Sequence, residues 1–118
     1  MVGTTTVTLA NVDDKVYIRA TSAGNSEICN MDGYNQFVMN GKISASGNVD
    51  TLLDQNGNAT LTEFCYFGLF QNCSSLTSTP ELPATTLAEY CYQRMFLGCS
   101  SLTTAPALPA TTLASNCY

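Results

Sequence analysis

Sixteen of 26 positions are identical between Cys65–Tyr90 (CYFGLFQNCSSLTSTPELPATTLAEY) and Cys91–Asn116 (CYQRMFLGCSSLTTAPALPATTLASN), and Cys117-Tyr118 opens a third copy. A repeat at a fixed period of about 20–30 residues is the signature of a solenoid, in which each copy is one coil stacked on the next. The shared positions include Leu, Cys, Phe and Pro, the residues that stacked coils would place in register.

Each repeat has two halves. The first, Ser100–Pro109 (SSLTTAPALP), carries Leu102, Ala105 and Leu108 at a three-residue spacing. Its threonines and its two prolines suit a short strand or an extended edge and exclude a helix. The second half, Ala84–Cys99 (ATTLAEYCYQRMFLGC), places Leu87, Cys91, Met95 and Cys99 four apart with Tyr90 and Phe96 flanking. That pattern predicts a short amphipathic helix. Thr86-x-x-Glu89 and Thr60-x-x-Glu63 read as capping boxes at its start, weakened to Thr112-x-x-Ser115 in the third copy. Gly98 stands where the helix should stop.

Strand plus short helix at a 26-residue period is the leucine-rich-repeat plan. The run MF-x-G-C-S-S-L-T-x-A-P-x-L-P-A-T-T-L-A-x-x-C-Y, at Met95–Cys117 and more loosely at Leu69–Cys91, resembles the BspA-like leucine-rich repeats of gut-bacterial surface proteins. The resemblance runs from about Leu61 to Tyr118, roughly half the chain. It implies an α/β leucine-rich-repeat solenoid of right-handed coil, export to the cell surface, and a role in adhesion or protein binding. It brings no catalytic residues.

Residues 1–58 do not repeat and read as a β-rich N-terminal cap, with repeats over 59–118 in about two and a half coils. Thr4–Ala10 and Lys15–Ala20 alternate around a turn at Asn11–Asp14, which predicts a hairpin. Asn40-Gly41, inside Gln36–Ser44, predicts a second. Gly47-Asn48 and Asp54–Asn58 are turn signals, and Asn48 is expected to cap a short helical piece through Val49, Leu52 and Leu53. A first coil needs such a cap because its apolar end would otherwise meet water. No matching cap follows Tyr118. Leu102, Leu108 and Leu113 would be left bare, and burying each is worth about 2 kcal/mol. The expectation is that further repeats or another subunit cover that end.

Composition narrows function by exclusion. The 118 residues hold nine Asp and Glu, four Lys and Arg and no His, for a net charge of −5. Four cations cannot track a phosphate backbone, and an anionic membrane repels such a chain. No run of 18 apolar residues is present to span a bilayer, and the start MVGTTTVTLANVDD is not a signal peptide. Either the protein stays where it is made, or the chain is a mature piece of an exported protein. The second is the expectation, which puts the protein at the cell surface or in secretion.

Without His, the Ser-His-Asp and Cys-His nucleophile systems are excluded. A glycosidase carboxylate pair is disfavoured because Glu63 and Glu89 read as capping residues. The Asp54–Asn58 stretch starts like a calcium loop, but its Gly comes early and the twelfth-position Glu is missing. No zinc pattern and no phosphate-binding glycine loop is present. The chain is therefore read as a non-enzyme with no cofactor.

Cys65, Cys91 and Cys117 form one 26-residue ladder, Cys73 and Cys99 another, and Cys29 stands apart. Stacked helices lie about 8–10 Å apart, too far for the roughly 7 Å Cα limit of a disulfide. Free thiols filling a core are expected.

What remains is surface. Thr77, Thr79 and Glu81, with Thr103, Thr104 and Ala107, are predicted to line the outer strand face where solenoids bind. Tyr66, Tyr92 and Tyr118 form a second ladder that is either a contact stripe for protein or sugar or a row of half-buried packing residues. The functional expectation is a surface-displayed binding or adhesion module for a host or neighbouring-cell protein or glycan. The alternative is a structural building block of a fibre or appendage that self-associates through its C-terminal coil.

Overall fold

A computed structural model describes residues 6–22, 28–29, 32–33 and 35–118. Its organising feature is how the backbone donors of the repeat are spent. The N–H groups of Phe64, just ahead of the first copy, and of Tyr66, Gly68, Phe70 and Asn72 within it donate to the carbonyls 25 residues on, of Glu89, Cys91, Gln93, Met95 and Leu97, at 2.7–3.2 Å. The intervening N–H groups, of Cys65, Phe67, Leu69, Gln71 and Cys73, close turns on carbonyls three residues back. The second copy repeats the pattern. Tyr90 and Tyr92 donate to Ser115 and Cys117, while Cys91, Gln93, Met95, Leu97 and Cys99 close turns.

An α-helix directs every N–H along its own axis to the carbonyl four residues back. Here the axis is broken at every fourth residue by a left-handed backbone: at Phe64, Gly68 and Asn72, then 26 residues on at Tyr90, Arg94 and Gly98, and again at Asn116. Each break turns the chain, so alternate donors point sideways to the neighbouring copy. The apolar four-residue spacing survives, because each turn is four residues long. Cys65, Tyr66, Leu69, Phe70 and Cys73 are buried, and so are Cys91, Tyr92, Met95 and Cys99.

The expected leucine-rich-repeat solenoid of strand plus helix is therefore not the fold. The described residues contain no α-helix, and Ala84–Cys99 is a bend followed by a chain of turns. One sheet is present among them, of two parallel strands: β1 (Ile43–Ser44) and β2 (Leu76–Ser78), with Ile43 opposite Leu76 and an irregular register beyond it. Residues Leu102–Thr104 of the second copy, equivalent to β2, form no strand. The radius of gyration, 13.9 Å, is that of a compact chain, for which about 13.5 Å is expected at this length.

Among the described residues the cap is not β-rich either. The turn at Asn11–Asp14 is present, closed by Asp14 N–H on the Asn11 carbonyl and by Asn11 N–H on Asp14 Oδ2. No strand flanks it in residues 6–22, and Thr4 and Thr5 lie outside the described residues. Asn40-Gly41 does not close an antiparallel hairpin, because β1 pairs in parallel with β2 from the repeat instead. Donors spread along the first half, from Ile28, Cys29, Phe37, Ile43, Ala45 and Val49, reach carbonyls between Cys65 and Glu81 of the first copy. The first copy is thus gripped on both sides. The Asn48 cap is as expected: its Oδ1 accepts from Asp50 N–H at 2.8 Å and starts a single 3-10 turn, Val49–Leu52.

All six cysteines are buried, and Cys65, Cys73, Cys91, Cys99 and Cys117 are free thiols. Five of their S–H groups point at backbone carbonyls: Cys73 at Phe37 (3.1 Å), Cys99 at Phe70 (3.0 Å), Cys29 at Asn35 (3.4 Å), and Cys65 and Cys91 more weakly at Cys91 and Cys117. Burial pushes the Cys65 thiol up to about 12 and Cys73 to about 11, so neither is a nucleophile at neutral pH.

Gly98 shows how tightly the copies meet. Its φ is +78°, and a Cβ there would lie 3.3 Å from the Asn72 Cα. Gly47 has a similar φ of +83° with open space around it. Gly98→Ala is expected to lower unfolding free energy by about 2 kcal/mol and Gly47→Ala by about 1 kcal/mol, since the left-handed cost is shared but the clash is not. Denaturant titration of the two variants checks the ordering.

Candidate functional site

The two Pro-x-Leu-Pro segments of the repeat, Pro80–Pro83 and Pro106–Pro109, face one another across an open groove of about 340 Å³. The prolines hold both segments extended and withhold their own N–H groups. Pro80 and Leu82 are buried beneath it, and Thr79, Pro83, Pro106, Ala107 and Pro109 complete its walls. Glu81 is the one charged residue lining it.

Glu81 is held in place by its backbone. Its N–H donates to the Gly47 carbonyl at 2.7 Å, and its carbonyl accepts from Val49 N–H at 3.1 Å. The carboxylate end is exposed. An apolar proline surface with one exposed carboxylate on an anchored backbone and a threonine in the same lining can pack against the C–H face of a sugar or an apolar side chain while accepting a hydrogen bond.

The strip expected from sequence is only partly assembled. Thr77 lies on β2 and is exposed, with its Oγ1 donating to the Ile43 carbonyl at 3.2 Å. Thr79 and Glu81 follow the strand and enter the groove. Thr103 and Thr104 are exposed but belong to no strand, so no continuous strand face links them to Thr77. The proline walls were legible as a motif written twice, although nothing in the motif said that the two copies would enclose a groove.

The tyrosine ladder is a stack. Tyr66 and Tyr92 have ring centroids 5.5 Å apart at 4°, and Tyr92 and Tyr118 are 5.8 Å apart at 8°. Tyr66 and Tyr92 are buried and offer no surface, while Tyr118 is 38% exposed. At the inner end Tyr66 Oη donates to Asp50 Oδ1 at 3.0 Å. Sequence reading gave no signal for this buried acid. Burial holds the Asp50 carboxyl above its ordinary value, Asp54 nearby adds to the rise, and the Tyr66 hydroxyl opposes it. The Tyr92 hydroxyl is buried without a hydrogen-bond partner among the described residues.

No family model matches the chain, no curated protein matches it, and no solved structure matches it. The resemblance noted in the repeat thus rests on the wording of the repeat, and the strand-and-helix coil that it implies is not formed.

The Asp50–Tyr66–Tyr92 row yields a pH prediction. A carboxyl raised on folding releases its proton more readily in the unfolded chain. Its favourable contribution is therefore complete below the unfolded value near 3.8, and it is lost as pH rises through the folded value. Thermal melts should show stability falling from acid toward neutral pH, and Asp50→Asn should flatten that slope while keeping an acceptor for Tyr66. Tyr92→Phe should be neutral or stabilising by up to about 1 kcal/mol, and Tyr66→Phe destabilising by about 1–3 kcal/mol, because only the latter strips a buried acid of its donor.

Proposed function

We propose that the protein is a non-enzymatic binding module, displayed at the cell surface or secreted, that holds a protein or glycan of a host or neighbouring cell. The observation that carries this reading is the groove between the two Pro-x-Leu-Pro segments, with Thr79 and Glu81 in its lining. The low charge and the Thr-rich exposed surface accord with recognition of a neutral, hydroxyl-rich or apolar partner rather than a polyanion. Screening against glycan and matrix-protein arrays tests it. Binding that Glu81→Ala weakens by about tenfold or more, the worth of a hydrogen bond to a charged group, supports the groove. Binding that ignores Glu81 and Thr79→Val places the contact elsewhere.

One further observation favours a second reading, a building block that packs against another copy. Leu97, Leu108 and Leu113 of the C-terminal copy are 50–66% exposed, and the Tyr118 ring is 38% exposed. Light scattering across a concentration series separates the two readings: a constant 12.6 kDa mass favours the binder, and a mass that grows favours the building block.

A further inference from the structure

Asn-Gly occurs twice, at Asn40-Gly41 and Asn56-Gly57, in opposite surroundings. Both glycines have left-handed backbones, with φ of +81° and +71°. Asn40 and Gly41 are both exposed, and among the described residues neither takes part in a hydrogen bond. A Cβ at Gly41 would meet nothing within 4 Å. The second pair is locked. Gly57 N–H donates to the Asp54 carbonyl at 2.8 Å and Asn56 N–H to Asp54 Oδ1 at 2.9 Å. The Gly57 carbonyl accepts from Asn48 Nδ2 at 3.0 Å, and a Cβ at Gly57 would lie 2.7 Å from that same nitrogen.

We propose that Asn40 is a site of spontaneous deamidation in the folded protein and that the fold protects Asn56. The backbone nitrogen of Gly41, after losing its proton to hydroxide, attacks Asn40 Cγ. The new C–N bond closes a five-membered succinimide, and the Cγ–Nδ2 bond breaks with release of ammonia. Water then opens the ring at either carbonyl, giving aspartate or isoaspartate. The attack needs a free amide nitrogen and a side chain able to swing over it. Glycine supplies the first by having no side chain in the way. The open surroundings of Asn40 supply the second, whereas at Asn56 the attacking N–H is already engaged and the peptide on both sides is pinned.

The product alters the protein in two ways. Aspartate adds a negative charge to a chain already at −5. Isoaspartate routes the backbone through an extra carbon just ahead of β1, where Ile43 N–H donates to the Ser75 carbonyl and fixes the register with β2. Ageing at this position would loosen the only sheet among the described residues.

The test is to incubate the full chain in mildly alkaline buffer, with and without urea, and to follow both asparagines by peptide mapping and isoaspartate detection. In the native protein Asn40 should convert at least about tenfold faster than Asn56, the rate difference expected from a retained hydrogen bond. In urea the two rates should converge. Equal native rates, or faster conversion at Asn56, would overturn the proposal. A difference that persists unchanged in urea would also overturn it, because neighbouring sequence and not the fold would then set the rates.

Discussion

The fold depends on a division of labour among backbone donors. In both copies of the repeat, alternate N–H groups close local turns while the others cross to the neighbouring copy. A buried amide left without a partner costs about as much as a lost hydrogen bond, so the two copies are not separable units. Left-handed residues at every fourth position make the alternation possible. Two of these positions hold glycine, where the conformation costs nothing, but Phe64, Tyr90 and Arg94 hold it against their own Cβ atoms. Packing offsets that cost. The Phe64 and Tyr90 rings stack at 4.6 Å and 3°, and the Arg94 guanidinium lies over the Phe67 ring.

The core follows from the same translation. Buried rings meet the ring at the equivalent place in the next copy: Tyr66 on Tyr92 on Tyr118, and Phe70 on Phe96, with Phe37 from the first half also stacked on Phe70. Between the rings the thiols act as small apolar fillers whose S–H groups find carbonyls. The groove that carries the proposed function is the matching event on the other half of the repeat, where prolines and not rings come into register. Periodicity thus gives both the stacked core, to which Leu76 and Leu82 also belong, and the open groove above Leu82.

The repeat, its register and its buried ladder were legible in the sequence, because the identities at Cys, Tyr, Phe and Leu report the translation directly. The Asn48 cap was legible too, since an asparagine before Val49 has a defined local chemistry. The helix was not, and the reason is physical. Apolar residues four apart satisfy a 3.6-residue helix over a turn or two, yet Leu87, Cys91, Met95 and Cys99 never take the three-residue step that keeps a stripe on one helical face. Unbroken steps of four were the signal for four-residue turns. The Asn40-Gly41 hairpin failed differently. Its local preference was outcompeted by the backbone of β2, a partner more than 30 residues away that no local rule could supply. Asp50 gave no sign of its burial, because only the fold brings Tyr66 to it.

The account stands on which carbonyl each amide of the repeat chooses, and scalar couplings across hydrogen bonds read that choice directly in an isotope-labelled sample. The ladder predicts couplings from the amide nitrogens of Tyr66, Gly68 and Phe70 to the carbonyl carbons of Cys91, Gln93 and Met95, with Leu69 and Gln71 coupled three residues back. Couplings from all of these amides to carbonyls four residues back, continuous along each copy, would mean a helix and would contradict it.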